Sequence, residues 1–100
     1  MTIIVGKVYT FKLNSGEELV AKVVSANGNL ISIEEPVSIA PGPQGGIGLV
    51  PSMFTADPSQ SVTLNTNSVT MYSETDDSVK NKYIEATTGI KVPDKKIILG

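Results

Sequence analysis

The chain has no cysteine, no histidine, no arginine and no tryptophan in its 100 residues. Without cysteine there is neither a disulfide nor a thiolate metal site. Without histidine the usual general acid/base near neutral pH is missing, and so is the commonest transition-metal ligand. Without arginine, the residue best suited to bidentate recognition of phosphate and guanine is missing too. All eight positive charges are lysines, set against ten carboxylates for a net charge of −2, which argues against a strongly electrostatic nucleic-acid binder. No apolar run approaches membrane-spanning length. Thr2–Val5 is apolar but short and runs straight into Gly6-Lys7, unlike a secretory signal. The expectation is a cytoplasmic, soluble protein with no membrane partner. One hundred residues argue for one domain, with a core small enough that self-association is the remaining way to bury more apolar surface.

What is present is strand periodicity. Tyr9, Phe11 and Leu13 alternate with Thr10, Lys12 and Asn14, the pattern of a half-buried strand. Leu19, Ala21 and Val23 continue it after a turn at Asn14-Ser15-Gly16. Ile31, Ile33, Val37 and Ile39 continue it again after Ala26–Asn29, with an interruption at Glu35-Pro36. Partners in an antiparallel pair share a face. The register that keeps apolar residues together therefore pairs Val23 with Ile33, Ser25 with Ile31, and Lys22 with Glu34. This predicts an odd-length loop with Gly28 or a neighbouring Asn at positive φ, rather than a two-residue Asn-Gly turn. The same reasoning centres the first turn on Gly16 and pairs Leu13 with Leu19 and Phe11 with Ala21.

Thr2–Val8 reads as an edge strand or an arm laid on a neighbour. Ala40–Gly48, rich in Pro and Gly, reads as a long irregular loop. Leu49–Ala56 returns to strand character, with Pro51 pointing to an edge or bulge. Met53 and Phe54 are adjacent, so one of them faces outward or into a partner. Val62 with Leu64, and Val69 with Met71, form two short strands around a turn at Asn65–Ser68. Thr75 or Asp76 is placed to cap a helix at about 77–88 with Val79, Tyr83 and Ala86 on one stripe, and Gly89 is placed to end it. The apolar tip Ile97-Ile98-Leu99 of the 90–100 tail either docks on a sheet edge, its own or a neighbour's, or stays disordered.

The run Leu13-Asn14-Ser15-Gly16-Glu17-Glu18-Leu19-Val20-Ala21-Lys22-Val23 resembles the first motif of the Sm and Sm-like (LSm) family. Leu64–Tyr72 has the length and apolar positions of that family's short closing hairpin. Leu13–Ala21, the Pro/Gly-rich Pro41–Pro51 and Tyr83 with Ala86-Thr87-Thr88-Gly89-Ile90 together are most similar to Sm-like proteins of tailed phages of marine bacteria. The resemblance implies a small, strongly bent five-stranded antiparallel open barrel over about 8–73, followed by a C-terminal α-helix. It also implies a homo-oligomeric ring built by pairing the fourth strand of one subunit with the fifth of the next. The family's RNA site does not carry over intact. Ile31 stands where the base-reading asparagine belongs, and Asn65-Thr66 stands where the family has Arg-Gly. The chain also starts with β-branched residues where family members start with a helix.

The candidate chemistry is correspondingly thin. Glu17-Glu18 and Glu34-Glu35 are neighbours on strands, so the members of each pair point to opposite faces and form no dyad. Glu74, Asp76 and Asp77 match no calcium loop and suit a helix start. Lys80, Lys82, Lys91, Lys95 and Lys96 make the C-terminal region the most basic part, better read as a solvated surface than a nucleic-acid face. Tyr9, Tyr72 and Tyr83 could stack on bases, but their positions favour packing. The sharpest candidates are Asn27, Asn29, Asn65 and Asn67, on two loops that the family fold places on the same side of a ring pore. Amides can read base edges or backbone without charge, although asparagine also favours turns for purely conformational reasons, and that reading is preferred. The expectation is a non-enzymatic ring with no catalytic residue, metal or cofactor. It contacts RNA or single-stranded nucleic acid through those loops, or alternatively acts as a structural, protein-recruiting phage accessory ring that binds no nucleic acid.

Overall fold

The computed structural model describes residues 1–42 and 45–88. The apolar tip at 97–99 and Gly89 lie outside them. Six antiparallel strands form one sheet: β1 (Val8–Leu13), β2 (Glu18–Asn27), β3 (Leu30–Pro41), β4 (Ile47–Pro51), β5 (Val62–Asn65) and β6 (Val69–Glu74). A 3₁₀ turn, Thr66–Ser68, joins β5 to β6, and one helix, α1 (Asp77–Thr88), follows. The sheet order is β4-β3-β2-β1-β6, and β5 pairs with the N-terminal half of β3. Among the described residues the protein is thus mostly β with a C-terminal helix, and has six strands where the resemblance implied five.

The extra strand arises because β4 and β5 share one long neighbour. β3 pairs Leu30–Ile33 with β5 and Val37–Pro41 with β4. Between the two, 52–61 leaves the sheet, so strand character stops at Pro51 rather than Ala56. Likewise β3 runs on to Pro41 and pairs it with Ile47, so Ala40, Pro41, Ile47 and Gly48 of the expected loop belong to strands. The opening segment is not a strand. Thr2 N–H donates to the Tyr72 hydroxyl (2.8 Å) and Ile4 N–H to the Tyr9 hydroxyl (3.0 Å), while Ile3 packs on the core. The arm therefore lies on its own sheet.

Both hairpin registers differ instructively from expectation. In the first, Phe11 faces Leu19 and Tyr9 faces Ala21. Leu13 C=O accepts from Gly16 N–H (2.8 Å) and Leu13 N–H donates to Glu17 C=O (2.8 Å). The loop is thus Asn14–Gly16, with Gly16 at φ +96° supplying the left-handed residue that such a three-residue loop needs. The shift from the expected pairing is two residues, so every side chain keeps its face. In the second, Lys22 faces Glu34 and Val23 faces Ile33 as expected, and Gly28 has φ +62°. Ser25, however, faces Ser32, and Asn27 faces Leu30. The loop is therefore two residues, Gly28-Asn29, and the odd residue is absorbed by a bulge at Val24.

A second bulge decides the architecture. Val20 faces Val37 and Lys22 faces Glu34, so Glu35 and Pro36 together oppose Ala21. Pro36 has no N–H for the ladder, and Glu35 takes φ +49°, rare for a side chain with a Cβ. The extra residue moves Val37 and Ile39 to the other face of the sheet. One core therefore holds Tyr9, Phe11, Leu19, Ala21, Val23, Ile31 and Ile33, closed by Val62, Leu64, Val69 and Tyr72. The second holds Val8, Val20, Val37 and Tyr83, with Ile39, Leu49, Val79 and Ile84 around them. Each fully buried side chain among these, such as Phe11 or Ile33, stabilises by about 1.5–3 kcal/mol before entropy is counted.

The helix exists to cover that second core. Asp76, not Thr75, provides the N-cap: its carboxylate accepts from Ser78 N–H (3.0 Å) and from the Ser78 hydroxyl. These bonds, the hydroxyl first, hold its carboxyl below the usual carboxylate range. Val79, Tyr83 and Ile84 face the sheet, whereas Ala86, assigned to the same stripe by spacing, is exposed.

Candidate functional site: an asparagine-lined end and two open edges

The two loops carrying the candidate asparagines meet at one end of the sheet. Asn65 is the register partner of Leu30, and Thr66 N–H donates to Asn29 C=O (2.8 Å). Gly28 and Asn29 form the turn, and Asn27 closes it opposite Leu30. The first hairpin loop joins them: Asn14 N–H donates to Ser68 C=O (2.7 Å) and Asn14 Nδ2 to Asn67 C=O (3.0 Å). Asn14 was not among the sequence candidates. Its signal in the sequence, an asparagine opening a loop that ends in glycine, is that of a turn.

The amides divide by role. Asn65 Oδ1 accepts from Asn67 N–H (2.9 Å) and Asn65 C=O accepts from the Ser68 hydroxyl (2.7 Å); that side chain caps the 3₁₀ turn. Asn14 is occupied in the same way. The side-chain amides of Asn27, Asn29 and Asn67 make no hydrogen bond among the described residues, and all three side chains are exposed. Asn65 is thus a structural residue first, as its preference for turns suggested. The other three present donors and acceptors to solvent.

No protein-family model matches this chain, and no curated protein matches it.

The second feature is the sheet's two ends. One edge is built by β4 and β5 along the outer side of β3, and the other is β6. Both carry exposed apolar side chains: Ile47 and Val50 on β4, and Met71, 64 % exposed, on β6. Such edges present unpaired backbone N–H and C=O groups to any strand that can reach them. Near β6, Lys7 and Glu74 form an exposed ion pair at 3.3 Å, of little energetic weight.

The Tyr83 hydroxyl donates to Glu34 C=O (2.7 Å) and accepts from Lys22 N–H (3.1 Å), filling the gap that the Glu35-Pro36 bulge opens in the ladder. Burial, reinforced by the charges of Glu35 and Glu34, pushes it up to about 12. Among the described residues no group of three carboxylates is arranged to hold a metal ion, and no helix is long and apolar enough to cross a membrane. The side chains of Glu17 and Ser38 are joined by a short hydrogen bond on the surface.

Proposed function

We propose that this protein is a non-enzymatic, Sm-like module whose five-stranded barrel corresponds to β1, β2, β3, the β4–β5 pair taken as one interrupted strand, and β6. It acts as a homo-oligomeric ring in which the β4–β5 edge of one copy pairs with β6 of the next. The observation that carries this reading is the pair of open edges on one antiparallel sheet, each with exposed apolar side chains. Two different edges that complement each other make a heterologous contact, and a heterologous contact that closes satisfies every edge. The small divided core supports the same reading, because ring contacts add the apolar burial that a chain of this size lacks.

In such a ring the asparagine ends recur once per subunit. RNA or single-stranded nucleic acid would be contacted there through Asn27, Asn29 and Asn67, with Asn65 shaping the loop. The uncharged amides and net charge of −2 make that contact weak and only mildly salt-dependent. The alternative reading, a structural ring of a phage accessory protein that recruits other proteins, is favoured by the commitment of Asn65 and Asn14 to internal bonds and by Ile31 being buried in the core. The cytoplasm, of a host cell if the chain is phage-encoded, suits either. Light scattering across a concentration series tests the ring, and a monomer at all concentrations removes it. A titration of the assembled protein against short poly-U, poly-A and single-stranded DNA at low and moderate salt then separates the two readings. Absence of binding at low salt leaves the structural ring.

A further inference from the structure

The chain holds six asparagines, Asn14, Asn27, Asn29, Asn65, Asn67 and Asn81, and the structure sets one of them apart. An asparagine side chain carries an electrophilic amide carbon near the backbone nitrogen of the next residue. Attack by that nitrogen closes a five-membered ring and expels ammonia, which is one reason asparagine is thermolabile. A hydrogen bond on the side-chain amide, a hydrogen bond on the following N–H, or a side chain on the following residue each slows the attack. Asn14 is held through Nδ2 on Asn67 C=O, and Asn65 through Oδ1 on Asn67 N–H. The N–H that follows Asn65, that of Thr66, is bound to Asn29 C=O. Asn29 precedes the bulky Leu30, which the hairpin pairs with Asn27. Asn67 precedes Ser68 within the 3₁₀ turn. Asn81 lies inside α1, where the next N–H belongs to the helix ladder. Asn27 escapes all three restraints. Its side chain is exposed, neither its amide nor Gly28 N–H makes a hydrogen bond among the described residues, and Gly28 has no side chain. Asn27-Gly28 is also the only Asn-Gly pair in the chain.

We propose that Asn27 is a site of spontaneous covalent modification, converted through a cyclic succinimide to aspartate and isoaspartate. The Gly28 nitrogen gives its proton to hydroxide and bonds to Asn27 Cγ, and the Cγ–Nδ2 bond breaks to release ammonia. Water then cleaves one of the ring's two C–N bonds. Cleavage at Cγ leaves aspartate on an ordinary backbone. Cleavage at the backbone carbonyl leaves isoaspartate, whose main chain runs through Cβ and Cγ and is one carbon longer. No electrons are exchanged, and water is the only co-reactant. The fold sets the pace. Asn27 ends β2, and an extended backbone holds Cγ and the Gly28 nitrogen out of line, so ring closure needs the tip to turn about Asn27. Residues 25–30 are exposed throughout and lie beyond the Val24 bulge, so this tip opens locally while both cores stay packed. The aspartate product adds one negative charge to a chain of net charge −2, at the end where Asn29 and Asn67 are exposed. The isoaspartate product adds a main-chain atom to a two-residue loop and breaks the fit between Asn27 and Leu30. Both alter that end of the molecule with age, whether or not it binds nucleic acid.

The full chain is incubated folded at neutral and at mildly alkaline pH, beside a urea-unfolded sample and the variant Asn27→Gln, whose longer side chain removes the five-membered ring. Intact mass and peptide mapping by tandem mass spectrometry follow the products. The expected result is the mass gain of one deamidation, preceded by a species that has lost ammonia. It maps to Asn27 before any other asparagine, contains both isoaspartate and aspartate, and forms at a rate that rises with hydroxide. The unfolded sample should react faster than the folded one, and Asn27→Gln should lose the signal. A first event at another asparagine, or an Asn27→Gln chain that gains mass at the parent's rate, overturns the proposal. So does a folded chain that stays unmodified while the unfolded chain is converted, or conversion to aspartate alone, which is direct hydrolysis of the amide.

Discussion

Replacing Tyr83 with Phe removes one oxygen and keeps the ring among Val8, Val20 and Val37. What is lost is the hydroxyl's bond to Glu34 C=O and its acceptance of Lys22 N–H. These two backbone groups lie beside Glu35-Pro36, where the β2–β3 ladder is interrupted, and the hydroxyl bridges them. A buried backbone group left without a partner costs about 1–3 kcal/mol. Both are only partly buried here, so Tyr83→Phe should cost about 2 kcal/mol in total. For a domain of this size that is a fall in Tm of about 8–16 °C, or about 1–2 M in the urea midpoint with an unchanged slope. Tyr83→Ala, which also empties the core position, should cost about 3–5 kcal/mol.

The same hydroxyl sets an alkaline limit. Its pKa is raised from 10.0 to about 12 on folding, by burial first and then by Glu35 and Glu34. Above pH 10 the unfolded chain releases this proton while the native state retains it. Native stability is therefore full below pH 10 and falls between pH 10 and 12. The loss amounts to about 1–2 kcal/mol once solvent screening at the bulge is allowed for. Tyr83→Phe should show no fall from this source in that window. The assays are urea unfolding by far-UV circular dichroism at pH 7, 10 and 11.5, and hydrogen exchange at the Lys22 amide. If Tyr83→Phe unfolds within about 0.5 kcal/mol of the parent and Lys22 exchanges no faster, the hydroxyl is not what closes the bulge.

Glu35→Gly should stabilise by about 0.5–1 kcal/mol, because φ +49° is strained for glutamate and free for glycine; a lower urea midpoint would refute the strain. Asn65→Ala should cost about 1 kcal/mol through loss of its cap on the 3₁₀ turn, whereas Asn29→Ala and Asn67→Ala should leave the urea midpoint unchanged and weaken only nucleic-acid binding, read by fluorescence anisotropy. Met71→Lys and Val50→Lys should each shift the light-scattering mass toward monomer, since charge on a strand edge opposes pairing; an unchanged oligomer would place the contact elsewhere. Asp76→Asn should remove a stabilising contribution that is full above the unfolded carboxylate pKa and lost as pH falls through the lower folded value; this is measured by comparing acid unfolding of the two proteins.

The alternation of Tyr9, Phe11, Leu19, Ala21 and Val23 determined which face of β1 and β2 would be buried, because a period of two fixes face whatever the register. Local backbone chemistry did the same for Gly16 and Gly28 at positive φ and for the acidic start of α1. The asparagine loops were legible as turns, but their proximity was implied only by the resemblance, and the pairing of β5 with β3 is what brings Thr66 to Asn29. Tertiary structure alone decided how an odd number of residues is accommodated. Between Val23 and Ile33 at one end and Asn27 and Leu30 at the other, a longer loop and a bulge at Val24 both fit the pattern, and packing selected the bulge. At Glu35-Pro36 the sequence marked an interruption but not its effect. Counting residues by twos puts Val37 with Ile33, and the extra residue puts it beside Val20 instead. That inversion creates the second core, gives Tyr83 its site and gives α1 a surface to cover. It depends on which side of a sheet another element packs, which no local pattern encodes.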